Sequence, residues 1–265
     1  MSDEEILYEK SASGVATITL NRAEKLNAFT HTMITKWADM LDEASRDPDV
    51  RVVLITGRGR AFCAGGDMDE MGDRAKHLDA LGKKNFLWKH VHKLALAKER
   101  MDKPVIAALN GQARGAGCDM ALMCDMRIAA ESASFTWSYI KLGLVAGDGG
   151  AWFLPRLIGM PRALELLLTG RTVGSAEADR IGLVNRVVPD AELHQVAMSL
   201  AEEIASQPRE AVHFYMRSAY QGQTQTLYNH LDMISSHMAV LRETKDHISR
   251  VEAFREARRN ARKTK

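Results

Sequence analysis

The stretch "RVVLITGRGRAFCAGGDMDEM", residues 51–71, runs from a strand pattern straight into a segment stripped of side chains. Val52 to Ile55 is continuously apolar and the run closes at Gly57, as expected of a strand buried on both faces. The Ala64-Gly65-Gly66-Asp67 that follows carries almost no bulk. A ligand can approach the main chain of such a loop closely, so its backbone amides become candidate functional groups. A second loop has the same make-up. In "PVIAALNGQARGAGCDMALMCD" (104–125) a strand leads into Gly115-Ala116-Gly117, which opens a helix. The first amides of a helix have no partner inside it. One amide from each loop, meeting at one carbonyl oxygen, would stabilise a developing oxyanion by roughly 3–4 kcal/mol per donor.

Outward from these loops, the first half of the chain alternates strand and helix. "GVATITL" (14–20) reads as a strand, and 29–48 reads as a helix with Met33, Ile34, Trp37, Met40 and Leu41 at helical spacing, stopping before Pro48. Residues 68–84 read as a polar, mobile segment and 85–101 as a helix; "MRIAAESASFTW" (126–137) reads as one or two short strands. This alternation predicts an α/β fold. A short helix, a short strand and a turn at Pro189 occupy 175–193. Beyond them the periodicity is helical, with helices predicted at 191–205, 208–220, 224–240 and 244–262. The expected division is an α/β core over 1–195 and a helical region over 196–265.

Composition bounds the function. A chain of 265 residues, 46% of them hydrophobic, can bury most of its unfolded surface. A net charge of +2 gives no argument for nucleic acid as a partner. Cys63, Cys118 and Cys124 form no C-x-x-C pair and are expected as free thiols in a reducing compartment. No apolar run approaches the roughly 18 residues of a membrane span, and the acidic N-terminus is no signal peptide. A soluble, cytoplasmic protein without membrane partners is the expectation.

Two carboxylates stand near the bare loops. Asp119 lies one helical turn beyond Ala116, where it could move a proton at a carbon beside a polarised carbonyl, although helix first turns favour Asp in any case. Asp148, in "KLGLVAGDGGAWFLPRLIG" (141–159), is either a helix N-cap or a second carboxylate for the same place. His90 and His92 are two apart on a helix and so do not face each other, and no metal site is expected. The G-x-G of "RGAGCD" lacks the rest of a dinucleotide fingerprint. Trp137, Trp152 and Phe153 read as core or pocket walls.

In order along the chain, "LNRAEKLNAF", "RAFCAGGDMDEM", "PVIAALNGQARGAGCDMALMCDMRIA" and "SAEADRIGLVNRVV" resemble the crotonase superfamily, also called the enoyl-CoA hydratase/isomerase family. The resemblance covers about residues 5–262 and implies a ββα spiral core, a helical C-terminal trimerisation region, acyl-CoA thioester substrates, and a homotrimer or hexamer. It implies no separate cofactor, CoA being part of the substrate. Carried over by position, the oxyanion amides fall on Gly66 and Ala116. The CoA moiety falls along the first loop at Ala64, Gly66 and Met68, with Lys25 near the CoA end. Arg255, Arg258 and Arg259 come within reach of CoA phosphates, although a solvated helix face is the plainer reading of that charge run. Family hydratases hold a water between two glutamates. Here those positions are Asp119 and Tyr139, and a phenol, with a pKa near ~10, is no carboxylate base. Asp148 falls one residue beyond an aspartate of isomerase-type members, including a phenylacetate-pathway isomerase. The resemblance therefore implies an enoyl-CoA hydratase or double-bond isomerase. The alternatives are another thioester reaction (hydrolysis, decarboxylation or C–C cleavage), a catalytically weak acyl-CoA-binding protein, or an RNA-binding role carried by the C-terminal basic run.

Overall fold

A computed structural model describes residues 4–263. The chain divides into two compact units at Ala205/Ser206.

In the first unit, β1 (Ile6–Lys10) and β2 (Val15–Leu20) form an antiparallel pair, followed by α1 (His31–Arg46). Thr30 caps α1 by accepting from Met33 N–H, and the helix ends at Arg46, two residues before Pro48. Next come β3 (Val52–Gly57), β4 (Ala61–Cys63), α2 (Met68–Ala75), α3 (Ala80–Phe86) and α4 (His92–Glu99), with a π-helical turn at Leu87–Val91 between α3 and α4. Residues 68–84, expected as a polar, mobile segment, are thus mostly helical. Asp67 starts α2 by accepting from the amides of Asp69 and Glu70, and Asp79 caps α3. The single helix expected at 85–101 is interrupted by the π turn.

Two β–β–helix repeats end this part. The strands β5 (Val105–Leu109) and β6 (Gln112–Arg114) lead to α5 (Ala116–Leu122); β7 (Met126–Ala130) and β8 (Ser134–Thr136) lead through a 3-10 turn at Ser138–Leu142 to α6 (Gly150–Ile158) and α7 (Met160–Thr169). Finally β9 (Thr172–Gly174), α8 (Ser175–Arg180), β10 (Arg186–Val188) and α9 (Leu193–Ala205) complete the unit. The strands build a six-stranded sheet, β1-β2-β3-β5-β7-β10, and a four-stranded one, β4-β6-β8-β9. Each of the pairs β3/β4, β5/β6 and β7/β8 therefore advances one position in both sheets, a β–β–α spiral.

The large sheet is buried on both faces. Val53, Ile55, Val105, Ala107 and Leu109 pack with Met33, Ile34, Trp37 and Leu41 of α1, while Val52, Leu54, Ile106, Ala108 and Ile128 face α9. Helix α9 seats Leu193, Ala197, Ala201 and Ala205, four residues apart, on that second face. This is why the division falls at 205 rather than near 195.

The second unit comprises α10 (Arg209–Gly222), α11 (Leu227–Arg242) and α12 (Lys245–Lys263), within a few residues of the helices read from periodicity. No helix among the described residues is long and apolar enough to cross a membrane.

Candidate active site

The first bare loop lies beside another main-chain segment. Ala64 N–H donates to Leu26 O (3.0 Å), Phe29 N–H to Gly65 O (2.8 Å) and Asp67 N–H to Phe29 O (2.9 Å). This is a parallel bridge centred on Phe29 and Gly66. Successive amides of extended chain point to opposite edges, so the Gly66 N–H faces away from Phe29. Leu26 and Asn27 take left-handed conformations (φ 52° and 56°), held by the buried Asn27 side chain. Its amide donates to Ala61 O (2.7 Å) and Arg58 O (3.0 Å), and its oxygen accepts from Arg22 N–H (2.9 Å). Asp67 is tied to Arg22 at 3.0 Å. Burial works to raise the Asp67 carboxyl, but Arg22 and the Glu70 and Asp69 amides outweigh it and hold it below its ordinary value.

The second loop packs against the first. A Cβ built on Gly65 would lie 3.4 Å from Ala116 N and 3.0 Å from Arg114 O, and one on Gly117 would lie 2.1 Å from Cys63 O. Only glycine allows this approach. Helix α5 is buried along its whole length, with Gly115 before it at φ 50°. Neither the Gly66 nor the Ala116 N–H has a hydrogen-bond partner among the described residues.

Behind the second loop sit both candidate carboxylates. Asp119 is fully buried and accepts from Trp137 Nε1–H (3.1 Å), Asp148 N–H (3.2 Å) and the Gly150 amide, and its Oδ2 lies 2.9 Å from the Tyr139 hydroxyl. The same hydroxyl lies 3.0 Å from Asp148 Oδ2. Asp148 does not cap α6: the cap position is Gly149 and no side chain bonds there. The Asp148 carboxyl instead joins Tyr139, and its Oδ1 is buried without a partner among the described residues. Burial first, and then the charge of Asp148, push the Asp119 carboxyl up to about 7. Burial also raises Asp148, against the Tyr139 hydrogen bond and the charge of nearby His92.

Asp119, Tyr139 and Asp148 are thus one hydrogen-bonded cluster. Trp137 belongs to both the core and this cluster. His92, set aside above as a metal ligand, bonds through Nε2 to Gly147 O (2.7 Å) and steadies the loop that carries Asp148; its only sequence signal is its place on a partly apolar helix. On the first-loop side, Met68 is exposed, and Lys25, half exposed, lies 3.7 Å from Asp69. Cys63, Cys118 and Cys124 are free and buried, and burial raises all three thiols, Cys63 and Cys124 to about 12. No three His, Cys, Asp or Glu among the described residues are grouped to hold a metal ion.

Paired β–β–α layers, with buried acids behind two glycine-rich loops, define an α/β enzyme of the crotonase fold. The chain belongs to the enoyl-CoA hydratase/isomerase family, whose model matches residues 10–263. It is 35% identical over 254 residues to 1,2-epoxyphenylacetyl-CoA isomerase of Escherichia coli, covering 94% of this chain and 95% of that one. It is 42% identical over 206 residues to a Mycobacterium bovis protein named "probable enoyl-CoA hydratase", covering 77% of each. The crystal structure of an enoyl-CoA hydratase from Bacillus anthracis matches with a TM-score of 0.89 at 34% identity, covering 96% of this chain and 97% of the other.

Proposed function

We propose that this enzyme moves a double bond within an enoyl thioester of coenzyme A. The observation that carries the reading is the Tyr139 hydroxyl, set between the carboxyls of Asp119 and Asp148 at 2.9 and 3.0 Å. Hydration by the family's route needs a water held between two acids, and here a phenol stands at the second acid's position and bonds the first acid directly. Isomerisation needs only a base and an acid along one allylic system. The N–H groups of Gly66 and Ala116 bind the thioester oxygen and gather the charge of the enolate. Asp119 removes a proton from one carbon and Asp148 returns one at the other end, so that no water is consumed. The CoA portion runs along the first loop past Ala64 and Met68 toward Lys25, and no separate cofactor takes part.

Support for an isomerase comes from the Escherichia coli relative, which is named as one. The family's other named relatives make hydration the outcome to test against. Assembly as a homotrimer, or a hexamer of two trimers, belongs to the same reading, as does a place in the cytoplasm, where three buried thiols stay reduced.

Positional isomers of 2-enoyl- and 3-enoyl-CoA thioesters, followed by NMR, test the reaction. Wild type is expected to interconvert them with little 3-hydroxyacyl product. Asp119→Ala is expected to lose about 10²–10⁴-fold in kcat. Hydration as the main outcome, or an unchanged rate in Asp119→Ala, would overturn the proposal.

A further inference from the structure

We infer that Asp119 and Asp148 hold a single proton between them and exchange it through the hydroxyl of Tyr139, which makes Tyr139 the residue that keeps one acid ionised while the other is protonated. The inference deepens the isomerase reading, and its catalytic part rests on it.

The count of hydrogens carries the argument. One phenol has one O–H, yet its oxygen lies within hydrogen-bond distance of a carboxylate oxygen on each side. Two ionised acids would leave one of those contacts as lone pair against lone pair. A proton on either acid turns the row into an unbroken chain, acid O–H to phenol oxygen and phenol O–H to carboxylate.

The surroundings decide where that proton rests. Asp119 accepts from Trp137 and from the Asp148 and Gly150 amides in addition to Tyr139. Such a set of donors stabilises the charged form. Asp148 has only Tyr139 on Oδ2, and its Oδ1 is buried with no partner. A charged oxygen left bare in the interior is costly, a neutral carboxyl much less so. The resting state is therefore Asp148 protonated and donating to Tyr139, and Tyr139 donating to ionised Asp119. The other ionisable groups facing the cluster are the His92 imidazole near Asp148 and the Cys63 and Cys118 thiols. Burial raises both thiols, which keeps them neutral.

The chemical balance follows. Asp119 takes a proton from the substrate carbon, breaking C–H and forming Asp119 O–H as the electron pair moves into the enolate. Asp148 gives its proton to the carbon at the far end of the allyl system. Asp119 then passes its proton to the Tyr139 oxygen as Tyr139 passes its own to Asp148. The starting state returns with nothing added or lost.

Tyr139→Phe removes the hydroxyl and keeps the ring. Infrared difference spectra of unliganded enzyme are expected to show one protonated carboxyl at neutral pH in wild type. Asp148→Asn should abolish this band and Tyr139→Phe should shift it. The bell of kcat against pH is expected to narrow by about a pH unit in Tyr139→Phe, because the bridge that spreads the two ionisations is gone. Its maximum is expected to fall about 10- to 100-fold. A purely structural tyrosine would lower the rate at every pH without moving the limbs. Limbs that stay in place, or no protonated carboxyl in wild type, would overturn the inference. No turnover of any enoyl thioester with the band present would instead remove the isomerase reading and leave the shared proton standing.

Discussion

Asp119 carries a price in stability that depends on pH, and its sign can be worked out. Its carboxyl is raised from 3.8 to about 7, by burial first and by the charge of Asp148 second. The pair that Asp119 forms with Asp148 through Tyr139 thus keeps one proton in the folded protein that the unfolded chain has already released. The stability from this group is fully present below the unfolded pKa and is lost as pH rises from 3.8 through about 7. Asp148 is raised as well, by burial first, and is the acid on which the shared proton rests. An asparagine at 148 can donate from its amide to the Tyr139 oxygen, as the protonated acid does, and carries no charge to oppose ionised Asp119. Asp148→Asn is therefore expected to match wild type near pH 5 and to exceed it by about 1–2 kcal/mol near pH 8.5. Urea denaturation across that range checks it. A variant less stable than wild type at every pH would contradict the account.

At the scale of elements, the junction of β4 with α5 sets the distance between the two bare loops. Gly117 lies on the first turn of α5 with the Cys63 carbonyl where its Cβ would be, 2.1 Å away. The obstacle is main chain and cannot swing aside. Gly117→Ala must then push the helix off β4 and separate Gly66 from Ala116. It is expected to destabilise by about 1–3 kcal/mol and to lower kcat more than KM changes. Gly72→Ala, in open space on α2, is the control and should change neither stability nor turnover by much. Equal loss in both variants would show that the junction has no special role.

These same elements show what could be read from residues alone. The strand at Val52–Gly57 and the glycine-rich turns were legible because their signals are local and span several residues. The strands β4 and β6, at three residues each, are too short to show a period and read as loop. The helices at Met68–Ala75 and Ala80–Phe86 were hidden by polar faces, and the caps at Asp67 and Asp79 were their only marks. Asp119 and Asp148 stood out as candidates, but the bridge between them did not. Residues 119, 139 and 148 come from three segments whose meeting depends on α5, the 3-10 turn and the start of α6 packing together. Tyr139 could be seen as a misfit for a carboxylate's place, whereas its double hydrogen bond is a tertiary fact.

At the largest scale, the second unit carries a long helix with little buried surface of its own. Helix α11 runs for 16 residues with none of them buried. Leu227, Tyr228, Leu231 and Met238 are exposed on one side of it, Tyr228 at 83%. Helices in water are held mainly by packing of an apolar face, so a helix this long with that face open calls for a cover. Phe254 on α12 and Tyr215 on α10 are exposed too. In the proposed trimer, other copies of the same chain would supply that cover. Light scattering on the purified protein is expected to give the mass of three or six chains. Leu231→Arg, which sets a charge in the middle of α11, is expected to shift that mass toward the single chain while circular dichroism keeps its helical signal. A monomeric wild type, or a mass unmoved by Leu231→Arg, would mean that α11 meets something other than its own kind.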